Sequence, residues 1–159
     1  MRIPWPAVVA AAIVGAAGVA GLVRAAQPET SDAAPAPIVV SNAWVRPPAP
    51  PNHAAAAYFT VQNTTGHPDR LQSVTANVGS SAVLHSAQMS LNTAGVLIPA
   101  HGRLVLSTGH GHVMIQQIRT HLRPGTTVDL QLRFAHAGVV PATARVIPLD
   151  APDPTGGSQ

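Results

Sequence analysis

The sequence of 159 residues contains no cysteine and no lysine, and each absence excludes a class of chemistry. Without cysteine the chain has no disulfide, no thiolate nucleophile, no thiolate metal site and no cysteine-linked lipid. Charged residues make up only 9%, and all nine positive side chains are arginines. When residues 1–25 are set aside, seven arginines stand against six acidic residues, a difference of +1. No basic cluster remains, so the composition argues against a nucleic-acid partner.

The N-terminal region carries much of the apolar content. Residues 7–23 include no polar or charged side chain, and this run lies between Arg2 and Arg24. Seventeen residues is long for the core of a signal peptide and short for a membrane span. Residues 1–26 are therefore predicted to be a signal peptide or an uncleaved N-terminal anchor, and the anchor is the only membrane contact we expect. In both cases the remaining chain is extracytoplasmic, in the periplasm, the cell envelope or the medium.

Composition also sets the limits of the folded domain. Residues 27–37 are polar and rich in proline and alanine, which is typical of a flexible linker. Residues 150–159 are predicted to be a disordered tail. The domain at residues 38–149 is long enough to bury one core without disulfides.

The domain sequence shows short alternating segments and no sustained helical period. In one of them Val128, Leu130 and Leu132 alternate with polar residues, which predicts a strand with one solvent-exposed face. Glycine, proline and asparagine separate the segments in the numbers that tight turns require. This spacing predicts an all-β fold, an antiparallel sandwich or barrel. The predicted strands are residues 38–46, 54–62, 71–78, 82–87, 95–98, 103–107, 112–118, 127–134 and 142–147.

Histidine and methionine form the one pattern that indicates a site. The domain has two methionines, and each lies within four residues of a histidine: Met89 follows His85, and Met114 follows His112. In a strand, residues i and i+2 project from the same face, so His112 and Met114 can bind one ion while the intervening side chains pack into the core. Imidazole and thioether ligands without thiolate or carboxylate favour Cu(I). The residues alone leave a second interpretation open, in which Met114 is a flexible core side chain and binds nothing.

Short motifs follow one another along residues 43–147. They are AWVRP (43–47), NHAAAAYFTVQN (52–63), PDRL (68–71), VLH (83–85), IPAHG (98–102), GHVMI (111–115) and LRPGTTV (122–128). In this order they resemble the periplasmic copper chaperones of the PCuAC type. The resemblance implies a cupredoxin-like Greek-key β-sandwich that carries Cu(I). It also implies a copper-accepting partner, namely the CuA site of cytochrome c oxidase or a Sco-type protein.

The same resemblance implies a ligand set of two histidines and two methionines, in the family pattern H(M)-x10-M-x21-H-x-M. His85 matches the first ligand, and His112 with Met114 match the last two. This chain has 26 residues between His85 and His112, whereas the pattern implies thirty-three. Ser86 replaces the methionine that normally follows the first histidine.

The shortened segment leaves the fourth ligand open. The pattern places it at Ser90, and the adjacent Met89 is the residue we expect to serve. Two alternatives remain: a site of three ligands, or a site that His110 completes. The other histidines are expected to be exposed to solvent; they are His53, His67, His101, His121 and His136.

The leading functional hypothesis is an exported Cu(I) chaperone. The alternative, motivated by the shortened segment, is an extracytoplasmic structural or interaction module that has lost metal binding. An enzyme is disfavoured because the domain lacks a cysteine nucleophile, and Asp69 and Asp129 are too isolated for an acid–base pair. A blue-copper electron carrier would need a cysteine thiolate. Trp44 and Tyr58 are assigned to sheet and core packing.

Overall fold

The computed structural model describes residues 37–86 and 95–154, and all regular secondary structure in these ranges is β-strand. Each predicted segment overlaps one observed strand. The nine strands are β1 (Ile38–Arg46), β2 (Ala55–Asn63), β3 (Asp69–Ala76), β4 (Ser81–Ser86), β5 (Val96–Ile98), β6 (Arg103–Leu106), β7 (Gly111–Gln116), β8 (Thr127–Phe134) and β9 (Val139–Val146). The predicted signal or anchor lies outside the described residues, as does the linker except for Pro37. Within the described ranges, no helix has the length and apolar character needed to cross a membrane.

The strands form one curled sheet. Its order is β4-β7-β2-β1-β9-β8-β3-β5, and β6 pairs with β2 beyond the end of β7. β3 and β4 are far apart in this order, yet they contact each other, because the sheet curls until its two halves pack face to face. The sandwich predicted from the sequence is therefore confirmed.

One strand pair departs from the predicted antiparallel arrangement. Residues 44–45 of β1 pair in parallel with residues 145–146 of β9, whereas the other strand pairs between described residues are antiparallel. β1 also carries a bulge between Ser41 and Trp44, where Asn42 adopts a φ of 51°. Alternation in a sequence identifies a strand but not the direction of its neighbour, so this pair required the tertiary structure.

The core lies between the two halves of the sheet. The alternation predicted for β8 is observed, with Val128, Leu130 and Leu132 fully buried and the side chains between them exposed. Burial of each such side chain contributes roughly 1.5–3 kcal/mol. The largest fully buried side chains elsewhere are Phe59, Leu71, Ile98, Leu106 and Ile115.

Residues 148–154, here called the C-terminal strap, lie against β1 and the turn that precedes β7. The guanidinium of Arg46 donates hydrogen bonds to the carbonyl oxygens of Leu149 (3.2 Å) and Ala151 (2.9 Å). The backbone N–H of Thr108 donates to Oδ2 of Asp153 at 3.3 Å. Two residues of the predicted tail, Ala151 and Asp153, thus form hydrogen bonds with the domain.

Candidate metal centre

β4 and β7 bring two of the predicted ligands together. His85 and His112 are direct cross-strand partners, although 26 residues separate them in the sequence. Their imidazole rings are stacked, with centroids 5.1 Å apart and planes inclined by 13°. Both side chains are half-buried on the outer face of the sheet, the face turned away from the core.

Met114 lies on the same outer face, two residues along β7 from His112. Its cross-strand neighbours are Ala56 on β2 and Val83 on β4. Alternate residues of a strand are roughly 6.5–7 Å apart, so the thioether and the His112 imidazole are close enough to share one ion. Met114 is half-buried and does not belong to the core cluster, which sets aside its interpretation as a core side chain.

The opposite face of β7 anchors this arrangement. Val113 and Ile115 are both 0% exposed and belong to the hydrophobic core. They alternate with His112 and Met114, as the sequence predicted. The metal-binding candidates therefore project from a strand whose other side is fixed by close packing.

A tight turn leads into β7 and carries His110. Gly109 and Gly111 adopt φ values of 85° and 112°, which favour glycine because a Cβ atom is strained there. His110 is exposed, and its Nδ1 lies 3.3 Å from Oγ of Ser107. The positive φ of Gly111 interrupts the regular strand between His110 and His112, so strand alternation does not place His110 on the face that carries His112.

The electrostatic environment favours a neutral site. Burial lowers the pKa of His112 below its ordinary value of 6.5, and the neighbouring His85 lowers it further. At neutral pH the His112 ring is therefore unprotonated and has a nitrogen lone pair free to bind a metal. Among the described residues, no group of three or more His, Asp or Glu side chains is arranged to hold a metal ion. The donors at this position are two imidazoles and one thioether.

Met89, the fourth predicted ligand, lies outside the described residues. The structure accordingly brings together His85, His112 and Met114, and leaves the fourth position open. The other predicted surface histidines are all exposed, as expected; they are His53, His67, His101, His121 and His136.

Sequence reasoning missed the aromatic surroundings of the site. Trp44 and Tyr58 stack on each other with centroids 4.0 Å apart, and the Tyr58 ring lies 6.1 Å from that of His112. Both are buried, as the assignment to packing requires, but they lie on the outer face and outside the core cluster. The proximity of Tyr58 to His112 is evident only from the register of β1, β2 and β7. The two residues lie on different strands, so the residue spacing within a strand does not predict it.

Comparison with known sequences identifies relatives that are described as lipoproteins. Residues 38–146 match the sequence model of a family described as "Putative lipoprotein LpqE-like". A relative from Leifsonia xyli subsp. xyli (strain CTCB07), named "Putative lipoprotein Lxx21020", is 28% identical over 116 residues, which cover 69% of each chain.

Solved structures extend the comparison to three dimensions. The copper-bound PCuAC domain from PmoF2 has a TM-score of 0.64 and 27% identity, over 70% of this chain and 93% of that one. The apo PCuAC domain from PmoF1 has a TM-score of 0.62 and 30% identity, over 73% and 95%. CuI-DR1885 from Deinococcus radiodurans has a TM-score of 0.60 and 26% identity, over 69% and 76%.

The family match covers more than half of the chain and contains both paired histidines together with Met114. The solved PCuAC domains share its fold over nearly their whole length. The chain therefore belongs to the LpqE-like family, and its β-sandwich is a domain of the PCuAC type, as the order of its sequence motifs predicted.

Proposed function

We propose that this chain is an extracytoplasmic Cu(I) chaperone that binds the ion through His85, His112, Met114 and Met89 and passes it to an acceptor protein. One observation carries the proposal. His85 and His112 are paired across β4 and β7, with Met114 on the same outer face.

The donor chemistry selects the ion. Imidazole and thioether groups are neutral and comparatively soft, so they prefer Cu(I) to Mg²⁺, Ca²⁺ or Zn²⁺. They add no negative charge to the site, which favours the singly charged cuprous ion over the cupric ion. The lowered pKa of His112 keeps protons from competing for that ring at neutral pH.

The exposure of the site suits a carrier. His85, His112 and Met114 are half-buried on the surface of the sheet and not enclosed in the core. An acceptor can therefore approach from solvent and displace the ligands one after another, so that copper is transferred without release into water.

The relatives support copper as the cargo. Two similar structures are a copper-bound PCuAC domain and a Cu(I) form of DR1885. By this analogy the acceptor we favour is the CuA site of cytochrome c oxidase, reached directly or through a Sco-type protein.

The N-terminal sequence and the family support the extracytoplasmic location in this proposal. The apolar run at residues 7–23 fits an export signal or anchor, and the family is described as lipoproteins. The sequence offers no cysteine for a cysteine-linked lipid, and the N-terminal segment is the export signal or anchor that we propose.

The test is a titration of Cu(I) against a competing chelator. We expect His112→Ala and Met114→Leu each to weaken Cu(I) binding by at least about tenfold, because each removes one donor; Met114→Leu preserves the apolar volume. His121→Ala is the matched control, since His121 is exposed and outside the candidate set. Wild-type affinity in both His112→Ala and Met114→Leu would reject the proposal.

The same titration decides the fourth ligand and the alternative function. Met89→Leu is expected to weaken binding as Met114→Leu does, whereas an unchanged affinity would indicate a site without Met89. Wild-type protein that takes up no Cu(I) would favour the structural module suggested by the shortened segment between His85 and His112. Transfer is tested by mixing the Cu(I)-loaded protein with a soluble apo CuA domain under anaerobic conditions, separating the two proteins and measuring the copper content of each.

A further inference from the structure

Four rings form a row across the outer face of the sheet. Trp44 on β1 pairs with Tyr58 on β2, and His112 on β7 pairs with His85 on β4. The register of β2 with β7 places Tyr58 beside His112. Successive ring centroids are 4.0, 6.1 and 5.1 Å apart. The candidate metal centre is thus the exposed end of a continuous aromatic row.

The other end of the row is closed. Trp44 is 2% exposed and Tyr58 is 8% exposed, although both lie outside the core. The Arg46 guanidinium lies 5.3 Å from the centroid of the Trp44 ring and is tied to the carbonyl oxygens of Leu149 and Ala151 in the C-terminal strap. The strap residue Pro154 lines a cavity together with Trp44. Tyr58 therefore lies between the buried Trp44 ring, 4.0 Å away, and the His112 ring, 6.1 Å away.

The hydroxyl group of Tyr58 faces the side chain of Thr108. The backbone N–H of Thr108 donates to Oδ2 of Asp153 in the strap at 3.3 Å. Thr108 belongs to the turn that leads into β7. The strap, this turn and the Tyr58 ring are thereby joined beside His112.

We propose that Tyr58 is a positioning residue for His112, and that the C-terminal strap keeps Tyr58 in place through Asp153 and Arg46. With Tyr58 on one side and His85 on the other, the His112 ring has few accessible rotamers before any metal binds. Ordering a ligand in advance lowers the entropy that is lost on binding. The copper-binding part of this inference rests on the proposed function, whereas the ordering of His112 does not.

Two measurements on the full chain test the inference. The first, on metal-free protein, uses three-bond NMR couplings to Cγ of His112, which report averaging about χ1. We expect one rotamer in the wild type, averaging in Tyr58→Leu, and partial averaging in Asp153→Ala, which removes the acceptor of the Thr108 N–H. The second is the chelator competition for Cu(I). We expect about tenfold weaker binding in Tyr58→Leu, the lower end of the loss typical for residues that orient a metal ligand.

Tyr58→Phe provides the conservative comparison, because it keeps the ring and removes the contact with Thr108. Its affinity is expected to fall by no more than about threefold, which separates a role of the ring from general loss of packing. Asp129→Ala is the control for Asp153→Ala, since Asp129 is exposed on β8 and distant in sheet order from β7. Asp129→Ala is expected to leave both readouts at their wild-type values.

A single His112 rotamer and wild-type Cu(I) affinity in folded Tyr58→Leu would overturn the inference. If Tyr58→Leu does not fold, Asp153→Ala decides in its place: a single His112 rotamer together with wild-type Cu(I) affinity in Asp153→Ala would overturn the inference. Wild-type protein that binds no Cu(I) would reject the proposed function, and the NMR couplings would still decide whether Tyr58 orders His112.

Discussion

Asp69 is a buried carboxylate at the start of β3, 5% exposed, inside the PDRL motif that the sequence analysis singled out. Three backbone N–H groups donate to it. Those of Arg70 and His136 donate to Oδ1 at 2.7 and 3.0 Å, and that of Ala137 donates to Oδ2 at 2.9 Å. The carboxylate thus ties β3 to the turn between β8 and β9.

Removal of this carboxylate is expected to destabilise the domain substantially. Asp69→Ala leaves three N–H donors without their acceptor, at about 1 kcal/mol each because the turn is partly open to water, or about 3 kcal/mol in all. For a domain of this size that corresponds to a fall in melting temperature of roughly 10–20 °C. Asp69→Asn keeps one carbonyl oxygen and is expected to cost about half as much.

The pKa of Asp69 gives the effect a definite pH dependence. Burial by itself would raise the pKa, but the N–H donors of Arg70, His136 and Ala137 outweigh it and hold the pKa below its ordinary value of 3.8. A carboxylate with a lowered folded-state pKa stabilises the fold above its unfolded value, and the stabilisation is lost as the pH falls through the folded value. The difference between wild type and Asp69→Asn should therefore be full at pH 7 and shrink in acid below 3.8.

Thermal unfolding followed by circular dichroism, at pH 7 and at a series of acidic values, measures both effects. Asp129→Asn is the matched control, because Asp129 is exposed and its replacement should change stability by less than about 0.5 kcal/mol. A cost below about 1 kcal/mol for Asp69→Ala, or a difference between wild type and Asp69→Asn that does not vary with pH, would refute the role assigned to these hydrogen bonds.

Three further predictions concern the site and its surroundings. The Cu(I) affinity of the wild type should fall as the pH drops below 6.5, because protons compete for His112 as the pH approaches its lowered pKa. His112→Met has no titrating group at this position and should show a shallower pH dependence in the chelator assay. An equal slope would contradict the assignment of His112 as a copper ligand. Cu(I) loading should turn the His85 ring out of its 13° stack on His112, since two imidazole nitrogens at roughly 2 Å from one ion need converging lone pairs and His112 is the ring already ordered by Tyr58. Unchanged His85 ring shifts in NMR spectra would argue against joint ligation. Arg46→Ala removes two hydrogen bonds to the C-terminal strap and should lower the free energy of unfolding, measured with denaturant, by about 1–2 kcal/mol. The control Arg133→Ala, at an exposed position, should lower it by less than about 0.5 kcal/mol.

Local patterns in the sequence identified much of the fold. Alternation placed β8 at residues 127–134 with Val128, Leu130 and Leu132 inward, and the structure agrees. The same period placed His112 and Met114 on one face of β7, opposite Val113. These predictions succeed because the two-residue repeat of a strand is a property of consecutive residues.

The pairing of strands and the contacts of the C-terminal strap could not be predicted from local sequence patterns. The parallel pairing of β1 with β9 departs from the antiparallel expectation, and Ala151 and Asp153 of the predicted tail form hydrogen bonds with the domain. In both cases the deciding contacts join residues far apart in the sequence, as between Arg46 and Ala151, whose positions differ by 105.

The sequence by itself determined which side chains are available: no thiolate, no basic cluster, and histidine beside methionine in a chain of short strands. Only the tertiary structure decided that His85 lies opposite His112, and that Tyr58 and the C-terminal strap enclose the same row of rings. The physical reason is strand register. A shift of one residue between β4 and β7 would turn one of the two imidazoles to the other face, and no local pattern records that choice.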